Sequence, residues 1–130
     1  MRLWHEALLP YLPRQQLLGQ HRECCALRGR GWGRNHSVVN YVFTHPRAWL
    51  WEYHIRVMDE MQRRGYHPDI KWANMFYRGT TLPMLTEYQE EDIVHHEGYV
   101  YPEHNDEYLE ECLQNLEGKG INLREVIKNE

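Results

Sequence analysis

Apolar positions recur at helical spacing in three stretches of the chain, and no stretch alternates convincingly as a strand would. The first runs from about Pro13, a residue suited to an opening helical turn, to about Leu27, where Gly29, Gly31 and Gly33 end it. The second starts near Thr44-His45-Pro46, continues through RAWLWEYHIRVMDEMQRR and stops at Gly65, ahead of Pro68. Leu50, Tyr53, His54, Val57 and Met61 share one face of it, which predicts a core stripe and not a site. The third begins after Asn105, a suitable cap, with Asp106 and Glu107 in its first turn, and covers DEYLEECLQNL before Gly118 and Gly120. A last turn, LREVIK, follows.

Between Tyr66 and Asn105 the periodicity lapses. HPDIKWANMFYRGTTLP and HHEGYVYPEHN are rich in aromatics, Gly and Pro and read as ordered loops packed by their own side chains. No internal repeat or low-complexity tract interrupts the pattern. The 130 residues suffice for one core and are short for two domains. The expectation is therefore an all-α fold: one compact domain over residues 1–130, with three main helices and long ordered loops.

The first helix is uneven around its axis. At about 100° per residue, Leu17, Leu18, His21, Cys24 and Cys25 gather on one side, and Gln15, Gly19, Arg22, Glu23 and Ala26 on the other. Glu23 is thereby kept out of the core. Gly19 and Ala26 are small, and glycine weakens a helix, so this face suits the close approach of another surface. A plain exposed Arg-Glu pair beside packed neighbours gives the same pattern.

Charge adds to this asymmetry. Residues 1–80 carry 12 Lys and Arg against 6 Asp and Glu, whereas residues 81–130 carry 3 against 13. A net charge of −4 thus hides a basic first part that can present a positive face to a polyanion, and an acidic last third. Two solvated surfaces of ordinary kind are the alternative.

Other chemistry is sparse. Cys24, Cys25 and Cys112 cannot form a disulfide framework and read as reduced, mostly buried thiols. His95, His96 and His104 lack regular ligand spacing and read as packing residues, so no metal and no cofactor is expected. No apolar run reaches membrane-spanning length, and MRLWHEALLPYLPRQQ lacks the apolar core of a signal peptide. A cytoplasmic protein without membrane contact is expected.

The segment LPRQQLLGQHRECCAL resembles the first helix of the pyrimidine-dimer DNA glycosylases of the phage endonuclease V type. The family's glutamine, leucine and Arg-Glu pair fall at Gln15, Leu17, Arg22 and Glu23, at a matching distance from the chain start. WEYHIRVMDEMQRRGY resembles the family's second helix and its Arg-Gly-aromatic end, here Arg64, Gly65 and Tyr66. YPEHNDEYLEECLQNL stands where the family's third helix begins, and MRLW is similar to the start of bacterial members.

The resemblance implies a DNA repair glycosylase with AP lyase activity. In that chemistry a terminal α-amine attacks the sugar carbon bearing the damaged base, expels the base and forms a Schiff base that permits strand cleavage by β-elimination. An α-amine suits the task because its pKa, about 7.7–8.0, leaves a useful neutral fraction near pH 7. By resemblance, Glu23 stabilises the cationic sugar and moves protons.

Arg2 is too bulky for usual removal of the initiator residue, so the nucleophile implied here is the amine of Met1. Gln16 replaces the family's histidine, Ala26 replaces an arginine, and the acidic last third departs from the phage protein's basic, aromatic end. The expected DNA contacts are Arg2, Arg14, Arg22, Arg28, Arg30 and Arg34 on phosphates, Trp32 as a stacking or wedging ring, and His36 near the site. The expected partner is damaged double-stranded DNA, bound by a monomer. Two rivals stand beside this reading: a non-catalytic nucleic-acid-binding protein of the same fold, and an interaction module that docks its acidic helix on a basic partner.

Overall fold

The structure is a computed structural model and describes residues 3–31, 40–85 and 96–128. Helix α1 (Arg14–Ala26) starts directly after Pro13, whose extended backbone makes it the cap while its carbonyl accepts from Leu17 N at 3.0 Å. The chain then widens into a single turn, Leu27–Gly31, in which Gly29 leaves helical geometry. A side chain at Gly31 would bring its Cβ to 3.0 Å from the Ala26 carbonyl, so glycine is what lets this turn close.

Helix α2 (Arg47–Arg63) likewise starts after a proline, Pro46. It ends at Gly65, whose φ of +89° suits glycine and lets Tyr66 N return to Met61 O at 2.9 Å. Helix α3 (Asp106–Gly118) is capped by the Asn105 side chain, which accepts from Tyr108 N at 2.9 Å, and a short α4 (Arg124–Lys128) follows. Arg124 spans Glu110 and Glu117, so part of the acidic charge on α3 is paired within the chain. Among the described residues there is no strand, and the all-α expectation holds.

The core joins all of these elements. Leu50, Tyr53, His54, Val57 and Met61 are all buried, as their spacing on α2 predicts. They meet Leu17, Cys24 and Leu27 from the first helix and its turn, and Cys112, Leu113 and Leu116 from α3. The amino-terminal segment contributes more than its periodicity suggests, because Leu3, Trp4, Leu8, Leu9 and Leu12 are all buried. It holds only the short turn Glu6–Leu8, too brief to register as a helical pattern.

Arginines pin the connections to the helices. Arg56 on α2 donates to Glu52, Glu6 and the carbonyls of His96 and Gly98, and Glu6 in turn accepts from Val100 N at 2.9 Å. Arg64 donates to the carbonyls of Leu9, Pro10 and Leu12. Residues 70–73 form a further turn, capped by Asp69 through Lys71 N. The connections are thus ordered by specific polar contacts as well as by their aromatics; residues 86–95 of the loop region, with His95, lie outside the described residues.

Candidate active site on the first helix

Helical geometry divides α1 into a buried ridge and two flanks. The ridge is Leu17, Gln20 and Cys24. Gln20 is a polar residue that hydrophobic patterning passes over, and its burial is explained by its partners. Its Oε1 accepts from Trp4 N at 2.6 Å and from the Tyr53 hydroxyl at 3.2 Å, while the same hydroxyl donates to Trp4 O at 2.6 Å. Tyr108 on α3 donates to the Leu3 carbonyl, and His104 Nδ1 accepts from Glu6 N at 3.1 Å. The amino-terminal segment is therefore held by all three long helices or their caps, and its fixed point on α1 is Gln20.

Glu23 stands three residues beyond Gln20, where helix geometry makes the two neighbours on the surface. It is half-buried, and its Oε2 is closed off from solvent. Arg22 is exposed and folds its guanidinium back along the helix, so that a Cβ at Gly19 would lie 3.7 Å from Arg22 Nη2. The Arg22 side chain thus borders the space beside Gly19, which would still admit a methyl group in ordinary contact. Arg14 is exposed and sits over the Tyr66 ring at 5.7 Å, and Arg30 is exposed at the far end of the helix.

Arg28 departs from its expected role. Only 7% exposed, it donates to the carbonyls of Trp72 (2.7 Å), Asn74 (2.8 Å) and Tyr77 (3.3 Å), contacts His54 Nδ1 at 2.9 Å and lies over the Trp72 ring. It ties the 72–77 segment to the helices instead of facing a phosphate. The other expected site residues, Met1, Arg2, Trp32, Arg34 and His36, lie outside the described residues.

The second flank carries His21 and Cys25, about 160° to 200° around the helix from Glu23. His21 Nδ1 lies 2.8 Å from His54 Nε2 on α2, and Cys25 Sγ lies 3.8 Å from His21 Nε2 and 3.9 Å from His54 Nε2. Burial holds both imidazoles below the ordinary histidine pKa, the more so for His54, helped by the charges of Arg22 and Arg28 at His21 and of Arg28 at His54. Burial also pushes the Cys25 thiol up to about 11. An open cleft of about 620 Å³ adjoins this flank, its walls including Cys25, Arg30, Asp69, Trp72, Tyr77 and Arg78. The spacing of His54 among core residues concealed this cluster, since a buried ligand-type histidine and a packing histidine share the same periodicity. The i, i+4 relation of His21 and Cys25 was the available signal. His104, by contrast, is a packing residue, buried between Glu6 N and the Tyr41 hydroxyl.

An exposed arginine and a half-buried glutamate thus stand on α1 near the residue that anchors the amino-terminal segment. Residues 1–74 match the family described as pyrimidine dimer DNA glycosylase, and the chain belongs to that family. The match takes in α1, α2 and the turn at 70–73, and ends before the rest of the cleft wall and before α3. No curated protein and no solved structure matches the chain. Among the described residues, no helix is long and apolar enough to cross a membrane.

Proposed function

We propose that the chain excises damaged or modified pyrimidines from double-stranded DNA and then cleaves the abasic strand, with the α-amine of Met1 as nucleophile and Glu23 as its acid-base partner. The amine displaces the base from the sugar carbon and forms a Schiff base. Glu23 stabilises the cationic sugar and iminium and moves the protons that β-elimination requires. Arg14, Arg22 and Arg30, all exposed, meet phosphates, and Arg2, Arg34, Trp32 and His36 complete the DNA contact. The protein works as a monomeric single domain in the cytoplasm.

The observation that carries this reading is the tether between Trp4 N and Gln20 Oε1. Two residues precede Leu3, and a chain of two residues spans about 7 Å at most. Gln20 and Glu23 are separated by about 4.5 Å along the helix axis. The short span from this anchor to Glu23 supports the pairing of a terminal amine with the Glu23 carboxylate.

Borohydride trapping tests the proposal. With DNA carrying pyrimidine dimers or abasic sites, reduction yields a covalent protein-DNA adduct that is lost when the α-amine is acetylated. Glu23→Gln still forms the adduct but cleaves the strand on the order of 100-fold more slowly. No adduct on any such DNA, or full activity with a blocked amine, refutes it.

A further inference from the structure

We propose that His21, Cys25 and His54 form a binding site for a single thiophilic divalent cation of the zinc class, on the flank of α1 opposite Glu23. Their candidate donor atoms, one from each residue, all lie within 4.8 Å of one another. Two of them come from α1 at i and i+4, the spacing that puts two ligands on one helical face, and the third comes from α2. The packing of α1 against α2 through Leu17, Cys24, Leu50 and Val57 fixes the separation of these three atoms without any ion. One thiolate and two imidazoles form the donor set of a borderline-soft cation, and three protein ligands leave a fourth position open. Cys25 belongs to the wall of the 620 Å³ cleft, so that position is reachable from solvent, and Asp69 stands on the same wall.

The neighbours of the cluster define what loading requires. Arg28 can only donate, so its contact at 2.9 Å makes His54 Nδ1 an acceptor and leaves the imidazole proton on Nε2, facing His21 Nδ1. His21 Nδ1 is then a free lone pair once that hydrogen bond is given up. For the ion to enter, the His54 proton moves from Nε2 to Nδ1, and Arg28 Nη1 releases His54 while its donors keep the carbonyls of Trp72, Asn74 and Tyr77. The Cys25 thiol gives its proton to solvent, and its sulfur forms the bond to the metal. One proton is released per ion bound. The site has nothing to do with the Glu23 chemistry and its test reads metal alone.

Cobalt(II) added to the purified, chelator-treated protein is the probe, because a cobalt-thiolate bond produces a near-ultraviolet charge-transfer band and tetrahedral coordination produces visible bands. The expected result is one cobalt per chain with both signatures, displaced by zinc, and tighter binding at pH 8 than at pH 6. Cys25→Ser abolishes the charge-transfer band with helical circular dichroism unchanged. His21→Gln, at a half-buried position, weakens binding at least tenfold. Absence of the band in the wild-type protein, or its persistence in Cys25→Ser, overturns the site and leaves a hydrogen-bonded cluster.

Discussion

The buried ridge of α1 and the turn that follows it order their surroundings by opposite means. On the buried ridge of α1 the helix offers an acceptor: Gln20 receives Trp4 N and the Tyr53 hydroxyl, so the groups that order the amino-terminal segment come to the helix from elsewhere in the chain. On the turn that follows α1 the chain supplies the donor instead, and Arg28 reaches out to three carbonyls of the 72–77 segment. Arg22 and Arg28 lie six positions apart in a stretch rich in arginine, yet one is exposed and the other is 7% exposed. Positive charge in a sequence thus counts cations without saying which of them are available to a polyanion.

Replacing Arg28 is expected to give the largest effect. Arg28→Met leaves three carbonyls and His54 Nδ1 without their donor inside the protein, a loss of about 3 kcal/mol or more in urea unfolding. Arg22→Met, on the exposed side, changes stability by less than about 0.5 kcal/mol and instead lowers DNA affinity and the steepness of its salt dependence. Equal stability of the two variants would break the comparison.

Acid is expected to act on the amino-terminal anchor with an intermediate effect. Burial, with the charge of His5 nearby, lowers the His104 pKa from 6.5 to about 3. As pH falls, the unfolded chain takes up this proton first, so the stability present above pH 6.5 declines as pH drops toward 3. Between pH 7 and pH 5 this amounts to about 2 kcal/mol. His104→Gln flattens that part of the stability profile, and a profile unchanged by the substitution would show that the anchor does not sense the proton.

Hydrophobic spacing revealed the helices well because each long one buries a continuous stripe and ends at a glycine or begins at a proline. Pro13, Pro46, Asn105 and Gly65 mark boundaries within a residue or two of those observed. The resemblance at Arg22 and Glu23 led to the right family, which residues 1–74 match. What patterning left hidden are polar side chains whose burial depends on partners far along the chain. Gln20 meets Trp4 and Tyr53, Arg28 meets the 72–77 carbonyls, and His54 meets His21 across the α1-α2 contact. Each pairing spans 16 to 49 residues, a range over which no local periodicity carries information.

A stability effect smaller than those at Arg28 and His104 is the sharpest probe of the chemistry proposed at Glu23. Gln20→Leu keeps the side chain's bulk and removes the acceptor of Trp4 N, which costs about 1–2 kcal/mol for the unpaired buried donor. Gln20→Glu retains an acceptor for Trp4 N at the same reach, with the added cost of a buried carboxyl group at a position 1% exposed. If the tether brings a terminal amine to Glu23, Gln20→Leu slows Schiff-base trapping by far more than its stability loss reduces the folded fraction, because misplacing a nucleophile by about 1 Å can cost on the order of 100-fold in rate. Gln20→Glu then traps far faster than Gln20→Leu. Equal trapping rates in the two variants, with both folded, would separate Gln20 from the chemistry and leave it as a core contact, while Arg28 on the turn after α1 stays its structural counterpart.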